Sequence, residues 1–126
     1  MRITESVAVP LRDHTVLRAD VYRPDTDARV PAIVIRTPYG REGHRDRGIV
    51  REATARGLAV VVQDVRGRYG SEGVFDPYRR EGDDGYDTIE WAATQPWCTG
   101  RVGMSGLSYP GAVQWLAAYS ERVPVR

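Results

Sequence analysis

The chain opens on loosely alternating residues from Ile3 to Pro10, which read as a β-strand. The polar run Arg12-Asp13-His14-Thr15 reads as a turn. Val16 to Tyr22, apolar at Val16, Ala19, Val21 and Tyr22, supplies the hairpin partner. A loop rich in Asp and Pro (24–28) follows, and then the pattern changes. Ala32-Ile33-Val34-Ile35 is apolar without interruption, as in a strand covered on both faces, and it stops at Thr37-Pro38-Tyr39-Gly40. The spacing predicts a helix from about Arg47 to Arg56, with Ile49, Val50 and Ala53 on one face and Gly57 at the C-cap position. Leu58 to Val65 is a second apolar strand, and Arg66 to Pro77 is a long loop with three glycines. Glu81 to Gln95 reads as a helix with acids in its first turn, an apolar face of Tyr86, Ile89, Trp91 and Ala93, and Pro96 as its stop. Arg101 to Met104 is a short strand, and Gly106 to Gly111 a sharp turn. The stretch ending at Ser120 is helical, with Ala112, Trp115, Leu116 and Tyr119 at i, i+3, i+4 and i+7.

Strands alternating with helices after an initial hairpin predict an α/β fold: a mostly parallel sheet with helices on both faces, preceded by an antiparallel hairpin. No linker or shift of composition divides residues 1–126, so one domain is expected. Apolar residues make up 41% and charged residues 28%, which fits a globular domain. Eighteen basic against 17 acidic residues leave a net charge of +1, which argues against nucleic acid or an anionic membrane as partner. Every basic residue is Arg, so Lys-based Schiff-base or P-loop chemistry is excluded. A single cysteine, Cys98, excludes an internal disulfide framework and a cysteine-rich zinc site, and reads as a small buried hydrophobe. No run approaches the ~18 apolar residues of a membrane span, and the N-terminus lacks a signal peptide's apolar core, so a cytoplasmic location is expected.

The chemistry concentrates in Gly106-Leu107-Ser108-Tyr109-Pro110-Gly111, a G-x-S-x-x-G stretch between a strand and an amphipathic helix. Alone, these letters describe an ordinary turn. In this context a serine is forced onto a tight bend that lifts its hydroxyl over the sheet, with a helix N-terminus aimed at it. Ser108 is therefore the candidate nucleophile, and the Tyr109 backbone N–H one candidate oxyanion donor. Tyr39 ends the first buried strand, the loop from which a second donor is drawn in such folds. By position it is equally well a turn aromatic packed on the sheet end. Gly67-x-x-Gly70-x-x-Gly73 has the wrong spacing for a dinucleotide fingerprint, and Asp64 and Arg66 beside it read as a charge pair holding the loop. A serine nucleophile needs an imidazole and a carboxylate, following in the order Ser, Asp/Glu, His. After Ser108 the chain has Glu121 as its one acid and no histidine. His14 and His44 precede it and read as solvated loop residues.

The stretches VAVPLRDHTVLRADVYRP, IRTPYG, VVVQDVRGRYGSEGVFDP and DDGYDTIEWAATQPWCTGRVGMSGLSYPG, in this order, closely resemble the N-terminal part of the cocaine esterase-like hydrolases of the Xaa-Pro dipeptidyl-peptidase family, which also includes α-amino acid ester hydrolases and cephalosporin acylases. The resemblance implies the N-terminal half of an α/β-hydrolase, with Ser108 as acyl-forming nucleophile and the Tyr109 N–H and Tyr39 hydroxyl holding the oxyanion. It implies no metal, no organic cofactor, and a small ester, amide or peptide as substrate; it leaves the acyl group and the oligomeric state open. Xaa-Pro dipeptide release, cephalosporin deacylation and a non-catalytic role are the alternatives. His14 departs from the family, which usually has Gly in that hairpin turn. The family's catalytic Asp and His, its helical insertion and its jelly-roll domain would lie beyond Arg126. At most weak activity and a tendency to aggregate are expected of these 126 residues alone.

Overall fold

The structure, a computed structural model, describes residues 1–44, 48–76 and 79–105. Along the chain run β1 (Arg2–Pro10), β2 (Val16–Arg23), β3 (Val30–Thr37), a 3-10 turn (Arg41–His44), α1 (Gly48–Ala55), β4 (Ala59–Asp64), α2 (Glu81–Ala93) and β5 (Cys98–Met104). The sharp turn at Gly106–Gly111 and the helix predicted after it lie outside the described residues.

The strands form one sheet in the order β1-β2-β4-β3-β5. β3, β4 and β5 run parallel, and the β1–β2 hairpin joins β4 antiparallel through β2. The α/β architecture and the N-terminal hairpin are as the sequence pattern predicts. Every residue of β4 is buried, because the alternation of a strand sends Ala59 and Val61 to one layer and Val60 and Val62 to the other. The first layer gathers Val9, Leu17, Ala19, Val21, Val34 and Val102 under α2, and Cys98 is buried in it. The second packs Tyr22, Ile35, Val60 and Val62 under Val50 and Ala53 of α1.

Both predicted helical faces need correction. Val50 and Ala53 are buried as expected, but Ile49 is 40% exposed, one position and so about 100° away from their stripe. In α2 the deepest stripe is Glu81, Asp84, Gly85, Thr88 and Ala92 rather than the apolar set. Ile89, Trp91 and Ala93 are partly buried against the core, and Tyr86 is half-buried. Polar side chains go to the bottom of this helix because the sheet beneath it presents polar partners, identified below.

The hairpin turn carries the departure at residue 14. His14 adopts φ +68° and donates its N–H to the Leu11 carbonyl at 3.0 Å. Here an L-residue occupies the left-handed conformation natural to glycine, so the turn keeps a glycine-type geometry at a cost of about 1–2 kcal/mol.

Candidate active site

Parallel strands bring their carboxyl ends to one edge of the sheet, where open α/β folds hold their ligands. Thr37 of β3 pairs with Asp64 of β4, and Val34 pairs with Met104 of β5. The Ser105 N–H donates to the Val34 carbonyl at 3.1 Å. The chain therefore leaves β5 towards Gly106–Gly111 beside the strand that leads to Tyr39. Ser108 and Tyr109 themselves lie outside the described residues.

Tyr39 sits on the sheet edge and is 60% exposed. Its N–H donates to Thr37 Oγ1 at 3.0 Å, and the preceding Pro38 carbonyl accepts from Arg68 Nε at 3.1 Å. It lines a cavity of about 480 Å³ with Gly40, Arg41, Asp64, Tyr69 and Gly70, among others. The Tyr69 ring lies 3.3 Å from where a Cβ on Gly40 would stand, so a side chain at residue 40 would push into it. Tyr69 is itself left-handed at φ +48° and stacks beneath the Arg68 guanidinium, 5.3 Å from the ring centre.

Two buried polar clusters support this edge, one on each face of the sheet. Beneath α2, Arg36 is wholly buried; its Nε donates to Gln63 Oε1 at 2.6 Å and its Nη1 to Glu81 Oε2 at 3.3 Å. The Thr88 hydroxyl reaches the same Gln63 oxygen at 3.1 Å. These contacts explain why Glu81 and Thr88 face inwards. On the opposite face, Arg41 enters between β2 and β4. Its backbone N–H donates to Asp64 Oδ1 at 2.7 Å and its Nη1 to Asp64 Oδ2. Its Nε donates to Asp20 Oδ1 at 2.9 Å, and its Nη2 to Ser6 Oγ at 2.6 Å. Burial is the largest single influence on the Arg41 pKa and lowers it, but the hydrogen bonds and charges of Asp20 and Asp64 together outweigh it, so the pKa is raised. A break of register between Thr4 and Val7 gives Ser6 a φ of +52°, which turns its hydroxyl to Arg41 and its N–H to Asp20.

Asp64 and Arg66 are not partners, contrary to the sequence reading. Asp64 binds Arg41, while Arg66 takes Asp84 in a two-pronged pair at 2.9 Å and Asp13 at 3.0 Å. The end of β4 separates the two: Asp64 continues the α1 face, and Arg66, two residues on, has left the strand and turned against α2. The hydrogen bond from Arg66, foremost, lowers the Asp13 carboxyl to about 2. The three loop glycines close this loop. Gly67, at φ +74°, donates its N–H to the Glu72 carbonyl, and a Cβ there would stand 2.0 Å from Phe75 N. A Cβ on Gly70 would meet Arg41 at 2.6 Å. Ser71 Oγ fastens the loop to the Asp64 carbonyl at 2.6 Å.

Of the histidines, His14 is exposed as expected, but His44 is buried at 7% exposure. It ends the 3-10 turn that Arg41 draws onto the sheet. Among the described residues, no group of three His, Cys, Asp or Glu side chains is placed to hold a metal ion. No helix there is long and apolar enough to cross a membrane. Arg41, Asp20 and Ser6 escaped the sequence reading. The signal available was a charge within or at the end of an apolar strand, as in Asp20 between Ala19 and Val21, and in Arg36 and Asp64.

This chain is 41% identical to a cocaine esterase of Rhodococcus sp. (strain MB1 Bresler) over 126 aligned residues, 94% of this chain and 21% of that protein. Its fold matches a solved CocE/NonD family hydrolase from Staphylococcus aureus at a TM-score of 0.84 and 27% identity, covering 92% of this chain and 25% of that one. An α-amino acid ester hydrolase matches at 0.85 and 28%, covering 99% and 24%. The chain thus spans about a fifth to a quarter of the length of these relatives. A family model described as X-Pro dipeptidyl-peptidase (S15 family) matches residues 13–125. With the hydrolase-type sheet and these relatives, the match shows that the chain belongs to that family of hydrolases.

Proposed function

We propose that this chain carries the nucleophile half of a serine-hydrolase site that cleaves a small ester or amide through an acyl-enzyme. The supporting observation is the parallel pairing of β3 with β5, which puts the Tyr39 loop beside the strand running into Gly106–Gly111. In this reading Ser108 Oγ attacks the carbonyl carbon. The Tyr109 N–H and the Tyr39 hydroxyl hold the oxyanion as charge develops on the oxygen, a contribution worth about 10²–10³-fold per donor. The Ser108 proton passes to an imidazole that residues 109–126 do not supply. The tetrahedral adduct then collapses, the leaving group departs and water releases the acyl group.

An ester is the preferred substrate class, because the relatives described above are an esterase and an ester hydrolase. The family description favours a proline-specific peptide as the second reading. Hydrolysis of p-nitrophenyl acetate by the purified chain tests the proposal, with an Ala-Pro-p-nitroanilide as the competing substrate. Slow ester hydrolysis is expected, since oxyanion stabilisation and binding survive loss of a triad member at about 10³–10⁴-fold over water. Ser108→Ala should abolish the covalent acetyl adduct that mass spectrometry finds on the chain, and Tyr39→Phe should lower the hydrolysis rate about a hundredfold. An acetyl adduct that survives Ser108→Ala contradicts the proposal, and preferential cleavage of the anilide moves the substrate to peptides.

A further inference from the structure

The ion cluster on the α1 face touches both walls of the cavity beside Tyr39. Asp64 is the residue common to them. Its Oδ1 accepts the Arg41 backbone N–H at 2.7 Å, two residues from Tyr39. Its Oδ2 accepts the Arg41 guanidinium and the Gly70 N–H, the latter at 3.3 Å, next to Tyr69. One fully buried carboxylate therefore holds the loop after β3 and the loop after β4. A second tie runs the other way, from Arg68 Nε to the Pro38 carbonyl at 3.1 Å. Tyr39 and Tyr69 are both exposed, so burial does little to fix them, and the contacts of the Tyr69 ring are with Gly40 and Arg68 of these same loops. Their positions are set through the backbone, by these ties.

We infer that Asp64 and Arg41 are positioning residues: their buried pair fixes the two loops so that the Tyr39 hydroxyl is held where an oxyanion forms. The inference rests on the proposed hydrolase reading and adds residues with no contact to substrate. Charge balance makes the test practicable. Arg41 faces two carboxylates, Asp20 and Asp64. Asp64→Asn leaves a one-to-one pair with Asp20 and keeps an oxygen for the Arg41 N–H, while it removes the charge that grips both loops.

The test uses two readouts on the whole chain, with Asp64→Asn and, as a second variant, Arg41→Lys, which keeps the charge but loses the fork. The first readout is the NMR spectrum of ring-labelled tyrosines. Signals of Tyr39 and Tyr69 should shift and broaden, while those of the core Tyr22 and of Tyr86 on α2 report an intact fold by staying in place. The second is the labelling of Ser108 by a fluorophosphonate probe. The maximal rate should fall about tenfold, the effect of a displaced catalytic group, while the half-saturating probe concentration stays within about twofold. A purely structural lesion would instead lower the fraction of chain that reacts. Unmoved Tyr39 and Tyr69 signals in both variants overturn the inference, as does an unchanged labelling rate alongside moved signals. If Ser108 in the unsubstituted chain is never labelled, the hydrolase reading fails, and the loop-fixing role is decided by the tyrosine spectra.

Discussion

At the scale of single residues, this chain accepts local cost where a partner or a turn requires it. His14 occupies a left-handed turn that glycine would fill without strain. His14→Gly should therefore raise stability by about 0.5–1 kcal/mol, the relief of strain less the added entropy of the unfolded chain. Urea denaturation followed by circular dichroism checks this, and a loss of stability would mean that the His14 side chain contributes more than its backbone costs. Asp13 one residue earlier has a measurable pH signature. Arg66 lowers its carboxyl from the usual 3.8 to about 2 in the folded chain. A depressed folded value stabilises above the unfolded one, so this contribution is complete above about pH 5 and fades as the pH falls through 4 towards 2. In acid titrations of stability, Asp13→Asn should flatten this limb and leave neutral pH less stable than in the unsubstituted chain. An unchanged acid limb would refute the pairing.

At the scale of elements, the strands were legible and the faces of the helices were not. Continuous apolar runs mark β3 and β4 because both faces of these strands are covered, and no competing periodicity exists in so short a run. The helices mislead because hydrophobic spacing assumes that the buried stripe is apolar. Here Arg36 and Gln63, at the polar end of the sheet, demand buried partners, and α2 turns Glu81, Asp84 and Thr88 inwards to supply them or to meet Arg66. That demand is set by residues far apart in sequence, and no local window contains it. Removing one member tests it. Glu81→Ala leaves the Arg36 guanidinium without its buried carboxylate and should destabilise by about 3–5 kcal/mol, read by thermal unfolding; a change below about 1 kcal/mol would match an exposed pair instead. The loop after β4 has an equally specific test. Gly67→Ala places a methyl against Phe75 N in a left-handed backbone, so it should destabilise strongly, whereas Gly43→Ala meets open space and should not.

At the scale of the whole molecule, the arrangement collects chemistry at one edge. The antiparallel hairpin completes one side of the sheet and sends Ser6 and Asp20 to the Arg41 cluster. The parallel strands carry Tyr39, Asp64 and the exit of β5 to the carboxyl edge of the sheet. The strand pattern foretold the hydrolase-type sheet, and family membership follows from residues spread over almost the whole chain, while the elbow expected at Gly106–Gly111 lies outside the described residues. The ion clusters that hold the site edge were not readable, because Arg41 meets Asp20 and Asp64 only after three strands have assembled.

If the fold presents Ser108 on an elbow beside the Tyr39 loop, its hydroxyl should react ahead of every other hydroxyl in the chain. Reaction of the folded chain with a fluorophosphonate, followed by mass spectrometry of its peptides, tests this most directly. A single adduct on Ser108, absent after urea unfolding and from Ser108→Ala, is the predicted result. No adduct, or adducts spread over several hydroxyls alike in folded and unfolded chain, would contradict it.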